Sequence, residues 1–152
     1  MFSKQEAGIL KQQFWTSLGK YLAPIPSSEG QKINWINYKT GIRFVNLKMD
    51  AFADHAYIGI ELSHKEAAVQ QVFFNHFKTL KDDIEKSMGE EWIWQPLANI
   101  DGRVISRIYT ELPNVNIYRQ TDWPEIISFL KTRMILLDEF WNRQKDIFEM
   151  MS

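Results

Sequence analysis

Ala56-Tyr57-Ile58-Gly59-Ile60-Glu61-Leu62-Ser63-His64-Lys65-Glu66 changes period at its middle. Ala56, Ile58, Ile60 and Leu62 alternate with Tyr57, Gly59 and Glu61, the spacing of a strand with one buried face. The strand ends on Ser63, and Ser63 with Glu66 has the spacing of a capping box, in which a hydroxyl and a carboxylate each satisfy an orphaned backbone N–H. Val69, Val72, Phe73, Phe77, Leu80, Ile84 and Met88 then recur at helical spacing as far as Gly89, a C-terminal stop. Strand followed by helix, residues 55–62 and then 63–88, is the centre from which the rest of the fold is read.

Upstream, Val45, Leu47 and Met49 alternate with Phe44, Asn46 and Lys48, predicting a strand joined to the first by Asp50–Asp54. Ile33–Tyr38 is short and rich in β-branched and aromatic residues, which predicts another strand, left through Lys39-Thr40-Gly41. Before it, Ser3 and Glu6 form a second capping box, and Ala7, Leu10, Phe14, Leu18 and Tyr21 trace a helix over residues 3–22, stopped by Pro24 and Pro26. Downstream, Trp92–Leu97 and Arg103–Leu112 read as a hairpin around Asn99, Asp101 and Gly102. Asp122 and Glu125 suit the start of a long helix entered through Pro124, with a stripe of Ile126, Ile127, Leu130, Met134, Leu137, Phe140 or Trp141, and Ile147 or Phe148. The expected fold is α+β in the order α-β-β-β-α-β-β-α: an antiparallel or mixed sheet of about five strands with three helices. No linker-like composition shift interrupts residues 1–152, so a single domain is expected.

The chain's 152 residues are 45% hydrophobic and 24% charged, a balance that supports a core and argues against wholesale disorder. Eighteen Lys and Arg against 19 Asp and Glu give a net charge of -1, so nucleic acid or anionic lipid would have to be held by a local patch. The absence of cysteine removes disulfides, thiolate zinc sites and a cysteine nucleophile. No stretch approaches the roughly 20 apolar residues of a membrane span. Met1-Phe2-Ser3-Lys4-Gln5-Glu6 reads as a helix start and not as a signal peptide, so a bacterial, cytoplasmic setting is expected.

Phosphate-loop, nucleophile-elbow and His-Glu-x-x-His signatures are missing. Of the three histidines, His64 and His76 would stand about 18 Å apart on one helix, and His55 and Glu61 lie near opposite ends of one strand. The carboxylates around that strand invite a different comparison. Restriction-enzyme-like nucleases place an Asp near the second strand of an α-β-β-β-α-β core and a Glu/Asp-x-Lys on the third, the acids holding Mg²⁺ and the Lys positioning water. Asp50 or Asp54, Glu61 and an acid of the first helix, Glu6, could take those parts, but Ser63 stands where Lys is expected and Lys65 lies two positions later, on the helix. The competing reading makes Asp50 and Asp54 turn residues and Glu61 a solvated acid. Arg103, Arg107 and Tyr109 share one strand face, an arrangement suited to stacking on bases. The charged residues of both later helices, Asp138 and Arg133 included, read as solvated faces.

Phe14-Trp15-Thr16, Ile33-Asn34-Trp35-Ile36-Asn37-Tyr38, Ile60-Glu61-Leu62, Gly89-Glu90-Glu91-Trp92, Ser106-Arg107-Ile108-Tyr109, Asp122-Trp123-Pro124 and Asp138-Glu139-Phe140-Trp141 together resemble a bacterial domain-of-unknown-function family. Its members occur as small stand-alone proteins and as a C-terminal domain of nuclease-like or restriction-associated proteins. The resemblance runs across nearly the whole chain. It implies a small cytoplasmic domain and carries over no activity, ligand or catalytic residue.

The function expected is therefore a binding or interaction domain without a cofactor, accessory to nucleic-acid or restriction systems. Its surface is expected where Tyr57, Glu61, Arg107 and Tyr109 converge on one side of the sheet. The rival is a Mg²⁺-dependent nuclease, or an inactivated relative, built on Asp50 or Asp54, Glu61 and Lys65. The apolar tail Ile147, Phe148, Met150 and Met151 inclines the expected assembly towards a homodimer.

Overall fold

The computed structural model describes residues 2–152; Met1 lies outside them. The elements run α1 (Lys4–Leu22), β1 (Val45–Ala51), β2 (His55–Leu62), α2 (Ala67–Thr79), α3 (Lys81–Met88), β3 (Ile93–Ile100), β4 (Arg103–Pro113), a 3-10 turn (Gln120–Asp122) and α4 (Trp123–Met151). The fold is α+β, with one antiparallel sheet in the order β1-β2-β4-β3. No helix among the described residues is long and apolar enough to cross a membrane.

Four strands replace the expected five, because Ile33–Tyr38 forms no strand. Side-chain bonding to the backbone and to α4 takes the place of a ladder there. Asn34 Oδ1 accepts from Asn37 N (3.0 Å), Trp35 Nε1 donates to Ile25 O (2.9 Å) and Tyr38 donates its hydroxyl to Asp138 Oδ1 (2.5 Å). Trp35 and Tyr38 are anchors, and the loop of residues 23–44 packs along the second half of α4, at Asp138, Trp141, Asn142 and Lys145. Asp138 is a second correction: it is 1% exposed, not solvated. Its carboxylate also accepts from Ser28 N (2.7 Å) and Asn142 Nδ2 (3.1 Å), while Trp141 Nε1 donates to Thr40 O (3.0 Å).

Four α-helices replace the expected three. The Ser3–Glu6 capping box forms in both directions. The Ser63–Glu66 box does not, because Ser63 N still extends the sheet by donating to Phe44 O (2.9 Å). Helix α2 accordingly begins at Ala67 and turns Gln70, Phe73, Phe74 and Phe77 inward, leaving Val69 and Val72 exposed. At Leu80 the backbone leaves helical geometry (φ -101°, ψ 9°), Thr79 Oγ1 bonds back to His76 O, and α3 starts with Asp82 and Asp83 in its first turn. Asp122 also departs from its expected role: its carboxylate accepts from Asn116 N (2.9 Å) and provides no side-chain cap to α4.

The core is the layer between the helices and one sheet face. Val45, Leu47, Ala51, Ala56, Ile58, Ile60, Leu62 and Ile108 pack there against Phe73 and Phe77 of α2 and Leu130, Leu137, Phe140 and Trp141 of α4. Phe148 is fully buried against Phe77 (ring centroids 4.3 Å apart) and Trp141 (5.3 Å), so this residue of the apolar tail joins the chain's own core, whereas Ile147 and Met150 stay exposed. Gln70, also fully buried, bonds Ser106 Oγ, whose oxygen accepts from Leu97 N (2.9 Å) at the irregularity between Gln95 and Ala98 in β3. That bulge, with Pro96 lacking an N–H, blunts the β3 edge against pairing with another strand.

Candidate functional site

With the helices on the even-numbered side of β2 and β4, the opposite face carries the odd-numbered side chains, and Ile36, Asn37 and Tyr38 line a hollow with Lys48, Glu61, Arg103 and Ile105 on its β1 side. Strand register sets their neighbours. Glu61 faces Asn46 on β1 and Arg107 on β4; Gly59 faces Lys48 and Tyr109; Tyr57 faces Asp50 and Glu111. Sequence alternation thus brings Tyr57, Glu61, Arg107 and Tyr109 onto one surface in the central pair of strands.

Arg107 is the hub. Its guanidinium lies 4.1 Å from the Tyr109 ring centroid and 5.7 Å from that of Tyr57, and its Nε donates to Gln95 Oε1 at 2.7 Å. The two tyrosine rings meet edge-on, 6.2 Å apart at 80°. Phe52 stacks on Tyr57 (6.2 Å, 8°) and on His55 (4.8 Å). Glycine is required at position 59: a Cβ there would stand 2.5 Å from both Ile108 O and Tyr109 Cβ. Its absence lets β4 bring Tyr109 down onto β2.

Glu61 is 8% exposed. Burial pushes its carboxyl above the ordinary range, against the opposing pull of Lys48, Arg107 and Arg103. Lys48 Nζ stands 4.0 Å from Glu61 Oε2. Burial also raises the Tyr57 hydroxyl, reinforced by Glu61 and Asp50, so Tyr57 is a neutral phenol.

The carboxylates singled out for a metal do not gather. Asp50 and Glu61 share a face, but Glu61 pairs with Asn46, four positions from Asp50, which puts them roughly 13 Å apart along the strands. Asp54 is in the exposed β1–β2 turn, bonded to His55 Nδ1 (2.7 Å). Lys65 lies beyond β2 and lines a separate hollow with Arg43 and His64. Glu6 belongs to the α1 capping box. His64 sits between Phe44 and Phe73, apart from His55 at the other end of β2. Among the described residues, no three His, Asp or Glu side chains are placed to hold a metal ion.

A second concavity, of about 490 Å³, lies between the 23–44 loop and α4, with Gln31, Asn37, Tyr38, Asp138, Asn142 and Lys145 on its walls. Burial, followed by the hydrogen bond to Asp138, raises the Tyr38 hydroxyl strongly, fixing it as the donor. Sequence reasoning missed this cluster. Spacing alone placed Asp138 on a solvated face, and no local signal marks a helix residue that will bind a loop some 100 positions earlier. Gln95, which orients Arg107, was equally hidden, because it depends on the pairing of β3 with β4.

The sequence model of the family described as Domain of unknown function (DUF4268) matches residues 10–145. The chain belongs to this family. The DUF4268 match takes in all four strands, and it includes the whole sheet face opposite the helices as well as the Asp138 cluster. No curated protein and no solved structure matches the chain.

Proposed function

We propose that this DUF4268 chain is a binding domain whose working surface is the sheet face of Tyr57, Glu61, Arg107 and Tyr109 and whose partner is single-stranded nucleic acid, in an accessory role beside a nucleic-acid-processing protein. One observation carries the reading: the Arg107 guanidinium stands 4.1 Å from the Tyr109 ring centroid on the sheet face opposite the helices. Tyr57 and Tyr109 are themselves only 8% exposed, so they act as the bed, and the outer plane of Arg107 is what a base would stack on. Lys48 and Arg103 flank it with charge for phosphates, and Glu61, 4.0 Å from Lys48, partly offsets that charge. The cations gather at the Glu61 end of the face, whereas Asp50 and Glu111 stand at the Tyr57 end, so phosphate contacts would fall at the former.

Fluorescence anisotropy with a labelled single-stranded oligonucleotide, without divalent metal, tests the reading. Binding should weaken steeply between low and moderate salt, and Arg107→Ala should cost about 10- to 100-fold, as loss of one stacked base does. Absence of binding at low salt, or equal binding by Arg107→Ala, overturns it. The same oligonucleotide incubated with Mg²⁺ or Mn²⁺ tests the nuclease alternative, which needs cleavage that Glu61→Ala abolishes.

A further inference from the structure

Beyond β2 the chain passes through Ser63, His64, Lys65 and Glu66 into α2, a helix of 13 residues. Its first turn has no side-chain cap: Glu66 occupies the cap position in extended geometry (φ -89°, ψ 122°) without bonding the helix. The first helical bond is Gln70 N to Glu66 O, so the N–H groups of Ala67, Ala68 and Val69 have no intrahelical acceptor. Ala67 and Ala68 are exposed and small, so the backbone there is approachable.

A hollow of about 300 Å³ lies beside this turn, lined by Arg43, Phe44, His64, Lys65, Glu66 and Val69. His64 is 7% exposed, and neither ring nitrogen has a hydrogen-bond partner. A buried imidazole with an unmet N–H is costly, and helix N-terminal N–H groups with unpaired cations beside them form a recurrent anion-binding arrangement. Arg43 and Lys65 are both exposed and make no ion pair among the described residues. The Arg43 guanidinium rests 4.7 Å from the Phe44 ring centroid, and Phe44 holds a left-handed backbone (φ 69°) that a bulky side chain rarely adopts. Phe44 O takes the Ser63 N–H, so this unusual turn ties Arg43 to the start of α2.

We propose that Arg43, His64, Lys65 and the first-turn N–H groups of α2 form a binding site for a phosphate-group anion. Arg43 and Lys65 supply the charge and the helix supplies donors, while His64, its unpaired ring nitrogens covered between Phe44 and Phe73, stands in the inner wall. Glu66 is the opposing charge at the mouth and limits affinity. The phosphate could be free inorganic phosphate or the 5′-phosphate of a nucleotide. The site stands apart from the sheet-face reading, since it uses none of its residues.

The three histidines provide the readout. Titrating the full chain with inorganic phosphate, against chloride at matched ionic strength, should move the His64 ring proton resonances saturably while those of His55 and His76 stay still. Arg43→Ala and Lys65→Ala should each weaken binding about tenfold, the loss of one charge-assisted contact, and Glu66→Gln should tighten it. His64→Phe, read by the phosphate-induced rise in melting temperature, should reduce that rise; an unchanged rise removes His64 from the site. Adenosine 5′-monophosphate binding more tightly than inorganic phosphate, with adenosine inert, identifies a nucleotide source; equal affinities identify the free anion. Arg107→Ala should leave the phosphate titration as in wild type. No saturable His64 response, or the same response to chloride, overturns the proposal.

Discussion

Adding one methyl group at two glycines should move stability in opposite directions. At Gly59 an ideal Cβ would lie 2.5 Å from Ile108 O, 2.5 Å from Tyr109 Cβ and 2.8 Å from Tyr109 Cα, nearer than real Cβ atoms approach. The obstacles are two backbone atoms of the neighbouring central strand and a Cβ fixed to that backbone, none of which can rotate away as a side-chain tip would. Relief requires β2 and β4 to separate locally, stretching ladder bonds and lifting Tyr109 from its seat. Overpacking a fitted interior costs roughly 1–3 kcal/mol, and a backbone clash belongs at the upper end, so Gly59→Ala should cost about 3 kcal/mol. For a chain of this length that is a fall of about 6–12 °C in melting temperature. Gly8 is the control: it is exposed on α1 with nothing within 4 Å of its ideal Cβ. Gly8→Ala should raise stability by about 0.5–1 kcal/mol through helix propensity and reduced unfolded-state entropy. Urea midpoints and thermal scans of both variants provide the comparison. A Gly59→Ala protein as stable as wild type would refute the close approach of β2 and β4, and with it the placement of Tyr109 under Arg107.

Asp138→Ala should cost about 3 kcal/mol by leaving Ser28 N–H and the Tyr38 hydroxyl without their acceptor, and Tyr38→Phe about 1 kcal/mol; a urea midpoint unchanged in Asp138→Ala would sink the loop-clamp assignment. Ser3→Ala should lose about 1 kcal/mol with its capping box, whereas Ser63→Ala should stay within about 0.5 kcal/mol, and equal losses in thermal melts would contradict the start of α2 at Ala67. Because the folded Glu61 carboxyl lies above its unfolded value, the native state holds the proton longer, so this group favours folding at low pH and loses that contribution as pH rises through its folded pKa. Glu61→Gln should therefore be more stable than wild type at pH 7, with the gain shrinking to a constant below the ordinary glutamate value of about 4.3; a less stable variant at pH 7 would reverse the argument.

What could be read along the chain was whatever depends on near neighbours. The alternations at 45–49 and 56–62 and the Ser3 capping box express local geometry and formed, β1 running on to Ala51, and the hairpin formed with Asn99 in its first strand and Asp101-Gly102 as the turn. Segments whose state is decided by distant partners were misread. Ile33–Tyr38 has strand composition, but its Trp, Tyr and Asn side chains find stronger partners in Ile25 O, Asp138 and their own backbone than a strand edge offers. Ser63 has the spacing of a cap, but its N–H was already committed to Phe44 O, and that tie delays the helix by four residues. The delay rotates α2, which explains why Gln70 is inside and Val69 outside.

The candidate surface shows the same division. Alternation alone placed Tyr57 and Glu61 on one face of β2, and Arg107 and Tyr109 on one face of β4; only register places Glu61 beside Arg107 and Gly59 beneath Tyr109. Register also separates Asp50 from Glu61, because each carboxylate falls opposite a different residue of the facing strand. Lys48, Arg107 and Arg103 therefore act on Glu61 more strongly than Asp50 does. Burial opposes the Glu61 charge while Lys48, Arg107 and Arg103 favour it, and of these Lys48 stands in ion-pair range at 4.0 Å. A neutral glutamine at that position would leave those cations without their internal partner and more available to phosphates. Gain of nucleic-acid affinity in Glu61→Gln thus follows from a binding surface, whereas loss of metal-dependent cleavage follows from a nuclease. The same substitution separates the two readings by the sign of its effect.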